Sequence, residues 1–196
     1  MRVELPIIRD WIRPGARVLD LGCGDGSLLA GLAEQCAVRG YGLEIDPLRI
    51  SLCLERGVNV IEQDLDRGLG NFRDASFDTV IMTQTLQAVR YPHLVLDEML
   101  RIGRECIITF PNFANWRSRL YLAGIGRMPV SRFMPYTWYD TPNIHFCTVS
   151  DFEVLCREKN IHVINRTVVD TQNRASLLAR SLPNLFGATA IYHVTR

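Results

Sequence analysis

The stretch Leu19-Asp20-Leu21-Gly22-Cys23-Gly24-Asp25-Gly26 constrains this chain more than any other. Apolar residues of strand character (Val18, Leu19, Leu21) run into a loop with glycine at every second position, and a helical pattern follows from Ser27 to Glu34. Glycine is needed where the chain turns sharply and where a ligand approaches the backbone more closely than a Cβ would allow. A strand, glycine loop and helix in this order near the N-terminus make a nucleoside-binding device. The dinucleotide fingerprint asks for G-x-G-x-x-G. Here Ser27 stands in the place of the third glycine. Val38 to Leu43 reads as the next strand, and Glu44 closes it about 20 residues after the loop, where a carboxylate meets ribose hydroxyls. A helix-start acid would be the other reading of Glu44. Asp46 followed by Pro47 already fills that role as N-cap and first helical residue, which leaves Glu44 free.

Strand and helix patterns alternate along the whole chain, so a mostly parallel sheet covered on both faces is expected. An amphipathic helix, Arg2 to Ile12, presents Leu5, Ile8 and Trp11 on one face. The first strand is Arg17 to Leu21, and a helix from Pro47 to Arg56 is stopped by Gly57. Val58 to Gln63, Phe77 to Met82 and Cys106 to Phe110 are further strands, with a helix from Pro92 to near Arg101 between the last two. Ser150-Asp151-Phe152-Glu153 has the form of a capping box, opening a helix that runs to Lys159. Ile161 to Val169 and Ala188 to Val194 complete the pattern as two final strands.

The segment from Phe110 to Phe146 is different, with nine of the seventeen aromatic residues, four of the nine prolines and no clean periodicity. Long irregular stretches in compact domains are usually lids, binding loops or disordered. The aromatic content argues against disorder. A cap at about 111–146 beside the mouth of the nucleotide site is expected, within a single domain spanning 1–196.

Net charge near zero removes the electrostatic case for nucleic acid or a membrane surface. No apolar run approaches the roughly 18 to 20 residues of a spanning helix, and no signal peptide is evident, so a cytoplasmic location is expected. The six cysteines show neither a C-x-x-C pair nor zinc spacing, so no metal site is expected and a reducing compartment suits them. Cys23 lies in the glycine loop, where a small side chain in a tight turn is the plainer reading than a nucleophile.

The glycine loop, Glu44, Asp64 after the third strand and Phe77-Asp78 at the fourth resemble the class I S-adenosylmethionine-dependent methyltransferase fold in order and spacing. That resemblance implies an α/β, three-layer, doubly wound Rossmann-like architecture, with a mostly parallel seven-stranded sheet whose last strand is antiparallel. Longer runs resemble the MetW family of methionine-biosynthesis proteins. They are the glycine loop, Gly42-Leu43-Glu44-Ile45-Asp46, Met82-Thr83-Gln84-Thr85-Leu86-Gln87-Ala88-Val89, Phe110-Pro111-Asn112-Phe113 with Trp116-Arg117, and Trp138-Tyr139-Asp140-Thr141-Pro142-Asn143-Ile144-His145. The family resemblance implies a bacterial protein that works with homoserine O-acyltransferase.

With S-adenosylmethionine or S-adenosylhomocysteine as the implied ligand, Gly22, Gly24 and Gly26 would let the backbone lie against the ribose and methionine portions. Asp20 would hold the loop, or meet the ligand's ammonium through water, and Cys23 and Ile45 complete the loop contacts. Glu44 would accept both ribose hydroxyls. Asp64 and Leu65 would flank the adenine, with a turn-forming acid as the other reading of Asp64. Thr83 and Gln84 would face the reacting methyl group.

Methyl transfer to a neutral acceptor asks for a general base. After the fourth strand this chain has Gln87-Ala88-Val89, with no titratable group before Arg90, where many methyltransferases of this fold carry a histidine or acid. His145 is the remaining candidate base. Trp116, Arg117 and Arg119 fit either an anchor for a partner or acidic substrate, or plain helix packing. Three functions stand: an accessory partner of the acyltransferase, a small-molecule methyltransferase, and a nicotinamide-dependent oxidoreductase, which the missing third glycine disfavours.

Overall fold

The computed structural model describes residues 5–131, 134–170 and 176–196. The expected lead-in helix is present as α1 (Leu5–Trp11), and its first expected residues, 2–4, lie outside the described residues. Then come β1 (Arg17–Leu21), α2 (Ser27–Cys36), β2 (Arg39–Glu44), α3 (Pro47–Glu55), β3 (Asn59–Glu62) and a 3-10 turn, Leu65–Arg67. The second half holds β4 (Phe77–Thr83), α4 (Pro92–Ile102), β5 (Gly103–Pro111), α5 (Trp116–Ile125), α6 (Val149–Glu158), β6 (His162–Val169), α7 (Leu177–Ser181), α8 (Pro183–Phe186) and β7 (Thr189–Thr195).

The seven strands are ordered β3-β2-β1-β4-β5-β7-β6, and only β7 runs against its neighbours. The chain winds outward from β1 to β3, then returns to place β4 on the other side of β1. The switch point therefore lies at the carboxyl ends of β1 and β4, where sheets of this kind bind ligands.

Period-two alternation sorts the strand residues onto two faces. Val18, Ile81, Ile107 and Ile191 pack with α1 and α2, in a layer built on Leu5, Ile8, Leu28, Leu29 and Leu32. Leu19, Leu21, Val80, Met82, Ile108 and Tyr192 pack with α4 and α6 on the other face. There Phe110, Phe152 and Tyr192 form a buried aromatic cluster, with ring centroids 4.7 to 5.9 Å apart.

Three local features differ from the sequence reading. The capping box of α6 is Thr148 with Asp151, not Ser150 with Glu153: Asp151 N–H donates to Thr148 Oγ1 at 3.1 Å, and Thr148 N–H donates back to Asp151 Oδ2 at 3.2 Å. The earlier start is favoured because Val149 enters the core and its N–H finds Asn112 Oδ1 at 3.3 Å. The expected cap contains a regular helix, α5, capped by Asn115 on the Arg117 amide. Finally, two short helices, α7 and α8, occupy the connection between the last two strands.

Candidate functional site

The carboxyl ends of β1 to β5 open into a cavity of about 790 Å³ roofed by cap residues Pro135, Tyr136, Pro142 and Asn143. Gly22 and Gly24 form part of its floor, both in left-handed backbone with φ of 71° and 60°. A Cβ on Gly22 would lie 2.6 Å from Thr85 Oγ1, so the β4 loop and the glycine loop touch through the missing side chain. Gly22 and Cys23 amides both donate to the Leu43 carbonyl, at 2.9 and 3.0 Å, which ties the loop to β2.

Glu44 is the organising side chain of this wall. It is buried, and it accepts from the Gly24 amide at 2.8 Å, the Ile45 amide at 2.9 Å and the Asp46 amide at 3.1 Å. A carboxylate offers about four acceptor sites, so room remains for a hydroxyl donor. Asp46 caps α3 on the Leu48 amide at 2.9 Å, as the sequence implied. Asp64 accepts from the Asp66 amide at 3.0 Å and caps the 3-10 turn, so its turn-forming role is real, and it also lines the cavity.

Of the residues singled out from the sequence, Gly22, Gly24, Glu44, Ile45, Asp64, Leu65, Thr83 and Gln84 are brought together on the cavity wall. Asp20, Cys23 and Gly26 do not line it. Asp20 is buried in β1 beneath the loop, in register with Gly42 and Ile81. Cys23 turns inward: its Sγ lies 3.7 Å from Cys53 Sγ, and a Cβ on Gly42 would lie only 2.3 Å from it. Burial, then the charge of Asp20, pushes the Cys23 thiol up from its ordinary value, which keeps it protonated and unreactive. Gly26 serves as the left-handed N-cap of α2.

His145 is not a lining residue. Its Nε2 faces the Arg90 carbonyl at 3.2 Å, a contact in which the ring nitrogen must donate, and its backbone amide donates to the Gln87 carbonyl at 3.0 Å. Histidine here fastens the cap. A base must reach the proton that it removes, and this placement does not supply that.

Sequence reasoning gave no site role to the other lining residues, among them Arg49, Gln87, Tyr136 and Asn143. The charged lining side chains (Glu44, Asp46, Arg49, Asp64, Asp66) all come from the β2 and β3 side. The half built by β4, β5 and the cap presents Thr83, Gln84, Thr85, Gln87, Pro111, Pro135, Tyr136, Pro142 and Asn143, with neither histidine nor carboxylate among the described residues. Gln84 sits in left-handed backbone at φ 55°, and its amide is held by Thr109. Such strain in a non-glycine residue persists where the surroundings over-determine it, and it clusters at sites.

The cap segment exposes several large apolar side chains alongside the exposed Arg117, Arg119, Arg127 and Asp140. Trp138 and Tyr139 are 74% and 73% exposed, and α5 adds Leu120 and Ile125. Arg117 stacks over Trp116 at 5.4 Å, and Arg119 Nε donates to the Ala114 carbonyl at 2.6 Å, so both arginines start from helix packing.

Residues 2–194 match the family described as "Methionine biosynthesis protein MetW". The chain belongs to the MetW family. It is 35% identical over 97% of its length to the "Bifunctional methionine biosynthesis protein MetXA/MetW" of Rhodopirellula baltica, of which it spans 32%. It is 28% identical, over 69% of its length, to the "Ubiquinone biosynthesis O-methyltransferase" of Erwinia tasmaniensis, of which it spans 60%. Thus the chain covers about a third of the first relative and about three fifths of the second. Among solved structures, a SAM-dependent methyltransferase from Archaeoglobus fulgidus superposes with a TM-score of 0.72 at 15% identity, over 98% of this chain and 91% of that one. The expected fold, a Rossmann-like methyltransferase sheet with one antiparallel strand, is thereby established.

Proposed function

We propose that this chain is an accessory partner of homoserine O-acyltransferase in methionine biosynthesis, and that its methyltransferase-type cavity holds S-adenosylmethionine or S-adenosylhomocysteine as a signal. The observation that carries the partnership is the relative in which MetXA and MetW parts share one chain. Proteins joined in one relative are held at high effective concentration, a common arrangement for parts that act together. The exposed apolar side chains of the cap are the part of this chain that such a partner would cover.

The donor set fits a nucleoside. Glu44 retains an acceptor position for the ribose hydroxyls, Asp64 and Leu65 stand where a base would lie, and the glycine floor leaves backbone exposed. Thr83 and Gln84 lie beside Gly22 at the switch point, where the ligand's tail would end. When bound, S-adenosylmethionine would present a sulfonium methyl group to the neutral half of the cavity. Transfer of that methyl needs alignment, plus a base when the acceptor is neutral. Tyr136 is the sole titratable side chain among the described residues of that half, which favours binding over chemistry.

The test is the acyl-transfer rate of the same organism's acyltransferase with and without this chain. A stoichiometric rise supports the accessory role, and no change at saturating chain overturns it. The similarity to O-methyltransferases supports the other reading, an active methyltransferase on a small metabolite. That reading predicts an acceptor in cell extracts that becomes labelled from methyl-labelled S-adenosylmethionine, and its absence would count against it.

A further inference from the structure

Every residue from Arg119 to Arg127 is exposed, although Trp116–Ile125 is a regular helix, α5. Ser118 is the only buried residue of that helix. Leu122 and Ile125, one and two turns further on, share the face of Ser118, yet they are 41% and 59% exposed. The helix therefore leaves the body of the protein after its first turn. Leu120 and Tyr121 stand on its other sides and are exposed as well. Its N-terminal end is what holds it: Asn115 Oδ1 accepts from the Arg117 amide at 3.1 Å, and Asn115 Nδ2 donates to the Gly187 carbonyl at 3.0 Å. A helix of ten residues is marginal in water by itself, and one that is apolar on all sides is ordinarily buried.

Charge and shape decide what can cover it. From Pro111 to Tyr139 the chain carries Arg117, Arg119, Arg127 and Arg132 and no acidic residue, and Asp140 is the first carboxylate to follow. Arg117 lies over Trp116 and Arg119 on the Ala114 carbonyl, and neither they nor Arg127 pair with a carboxylate among the described residues. Two-fold pairing of α5 with a second copy would set these arginines against like charges. A flat lipid surface would cover one side of a helix whose apolar residues point to all sides. A concave protein surface covers them together, and a guanidinium grips a carboxylate there through two parallel hydrogen bonds. Resting on the accessory reading above, we propose that α5 docks as a helix into an apolar groove of the acyltransferase whose rim carries carboxylates. The groove encloses Leu120, Leu122 and Ile125, and Arg117 and Arg127, at the two ends of the helix, meet its rim. Docking of a helix in a groove supplies the packing that α5 lacks in the free chain, and the arginines steer the encounter.

The side chains to be changed are exposed, so the variants should fold, which thermal melting checks. Calorimetric titration with the same organism's acyltransferase compares the native chain with Leu120→Ser plus Ile125→Ser, and with Arg117→Glu plus Arg127→Glu. Leu54→Ser, on α3 at a position 63% exposed, is the control. Loss of two enclosed aliphatic side chains predicts binding weaker by about tenfold or more. The charge reversals weaken binding more at low salt than at high salt, and the control stays within about twofold of the native chain. Hydrogen exchange at the amides of Leu120 to Ile125 slows when the acyltransferase is added. Equal binding by every chain overturns the proposal and leaves the accessory reading intact. Self-association of the native chain, or its adsorption to phosphatidylserine vesicles, overturns the proposal likewise if the α5 variants lose it while still binding the acyltransferase. A native chain that does not bind the acyltransferase overturns the accessory reading, and this proposal with it.

Discussion

Replacing Glu44 by alanine strips the acceptor from three backbone amides at once, those of Gly24, Ile45 and Asp46. Buried donors left unpaired cost about 1–3 kcal/mol. Glu44→Ala is therefore expected to lower unfolding free energy by about 2 kcal/mol, read from denaturant titration, and to abolish S-adenosylhomocysteine binding. Gly22→Ala combines a left-handed backbone with a Cβ placed 2.6 Å from Thr85 Oγ1. It should cost about 2 kcal/mol, since the left-handed conformation alone costs about 1–2 kcal/mol in a residue with a Cβ. Adding Thr85→Ala should recover the collision but not the backbone share, so equal stability of the single and double variants would contradict this account. The place of Glu44 at the end of the second strand was legible because Asp46-Pro47 already serve the helix start that follows. That of Gln87 on the cavity wall was not, because it is set by a bond to the Gln84 carbonyl and by the docking of Ile144 and His145, contacts that no local spacing encodes. Cys23 shows the same limit: spacing places a residue in the loop, but not the side to which it points.

At the scale of elements, Thr148-x-x-Asp151 and Ser150-x-x-Glu153 both satisfy the capping pattern two residues apart, and burial of Val149 decides between them. Thr148→Ala should cost about 1 kcal/mol, and Ser150→Ala only a few tenths, in paired thermal melts. Helix α5 escaped the sequence reading because Leu120, Tyr121, Leu122 and Ile125 are all exposed, leaving no inward stripe to recognise. Arg101 on α4 clasps the loop before β4, bonding Glu98, Asp74 and the carbonyls of Leu69 and Phe72. Its hydrogen bond to Glu98 holds that carboxyl below its ordinary value of 4.5. A lowered folded-state value means the stabilisation is complete above pH 4.5 and is lost as pH falls through the lowered value. The melting-temperature gap between native chain and Arg101→Met should thus narrow in acid. A gap independent of pH would show that the carbonyl contacts alone carry the clasp.

The whole molecule uses a sheet whose switch point opens into a cavity, with Pro135, Tyr136, Pro142 and Asn143 of the 111–146 segment on its wall and Trp138 and Tyr139 of the same segment exposed. The mostly parallel, doubly covered sheet was legible from the alternating pattern, and its antiparallel last strand from the resemblance to the methyltransferase fold, whereas the strand order was read from neither. Aromatic content suggested a cap beside the cavity, but it gave no sign of how that segment is attached. That attachment runs through Asn112, whose Nδ2 reaches the Gly187 carbonyl at 2.8 Å, and whose Oδ1 accepts from the Ala114 and Val149 amides. Gly187 and Val149 lie 75 and 37 positions from Asn112, beyond the reach of any local spacing.

If the cavity holds a signal and the cap meets the acyltransferase, the two binding events must be coupled with equal force in both directions. The most direct measurement is the dissociation constant of S-adenosylmethionine for this chain, alone and with saturating acyltransferase. A shift that equals the factor by which S-adenosylmethionine changes the affinity for the acyltransferase is the result predicted. An unchanged constant, with the two proteins bound to each other, would contradict the account.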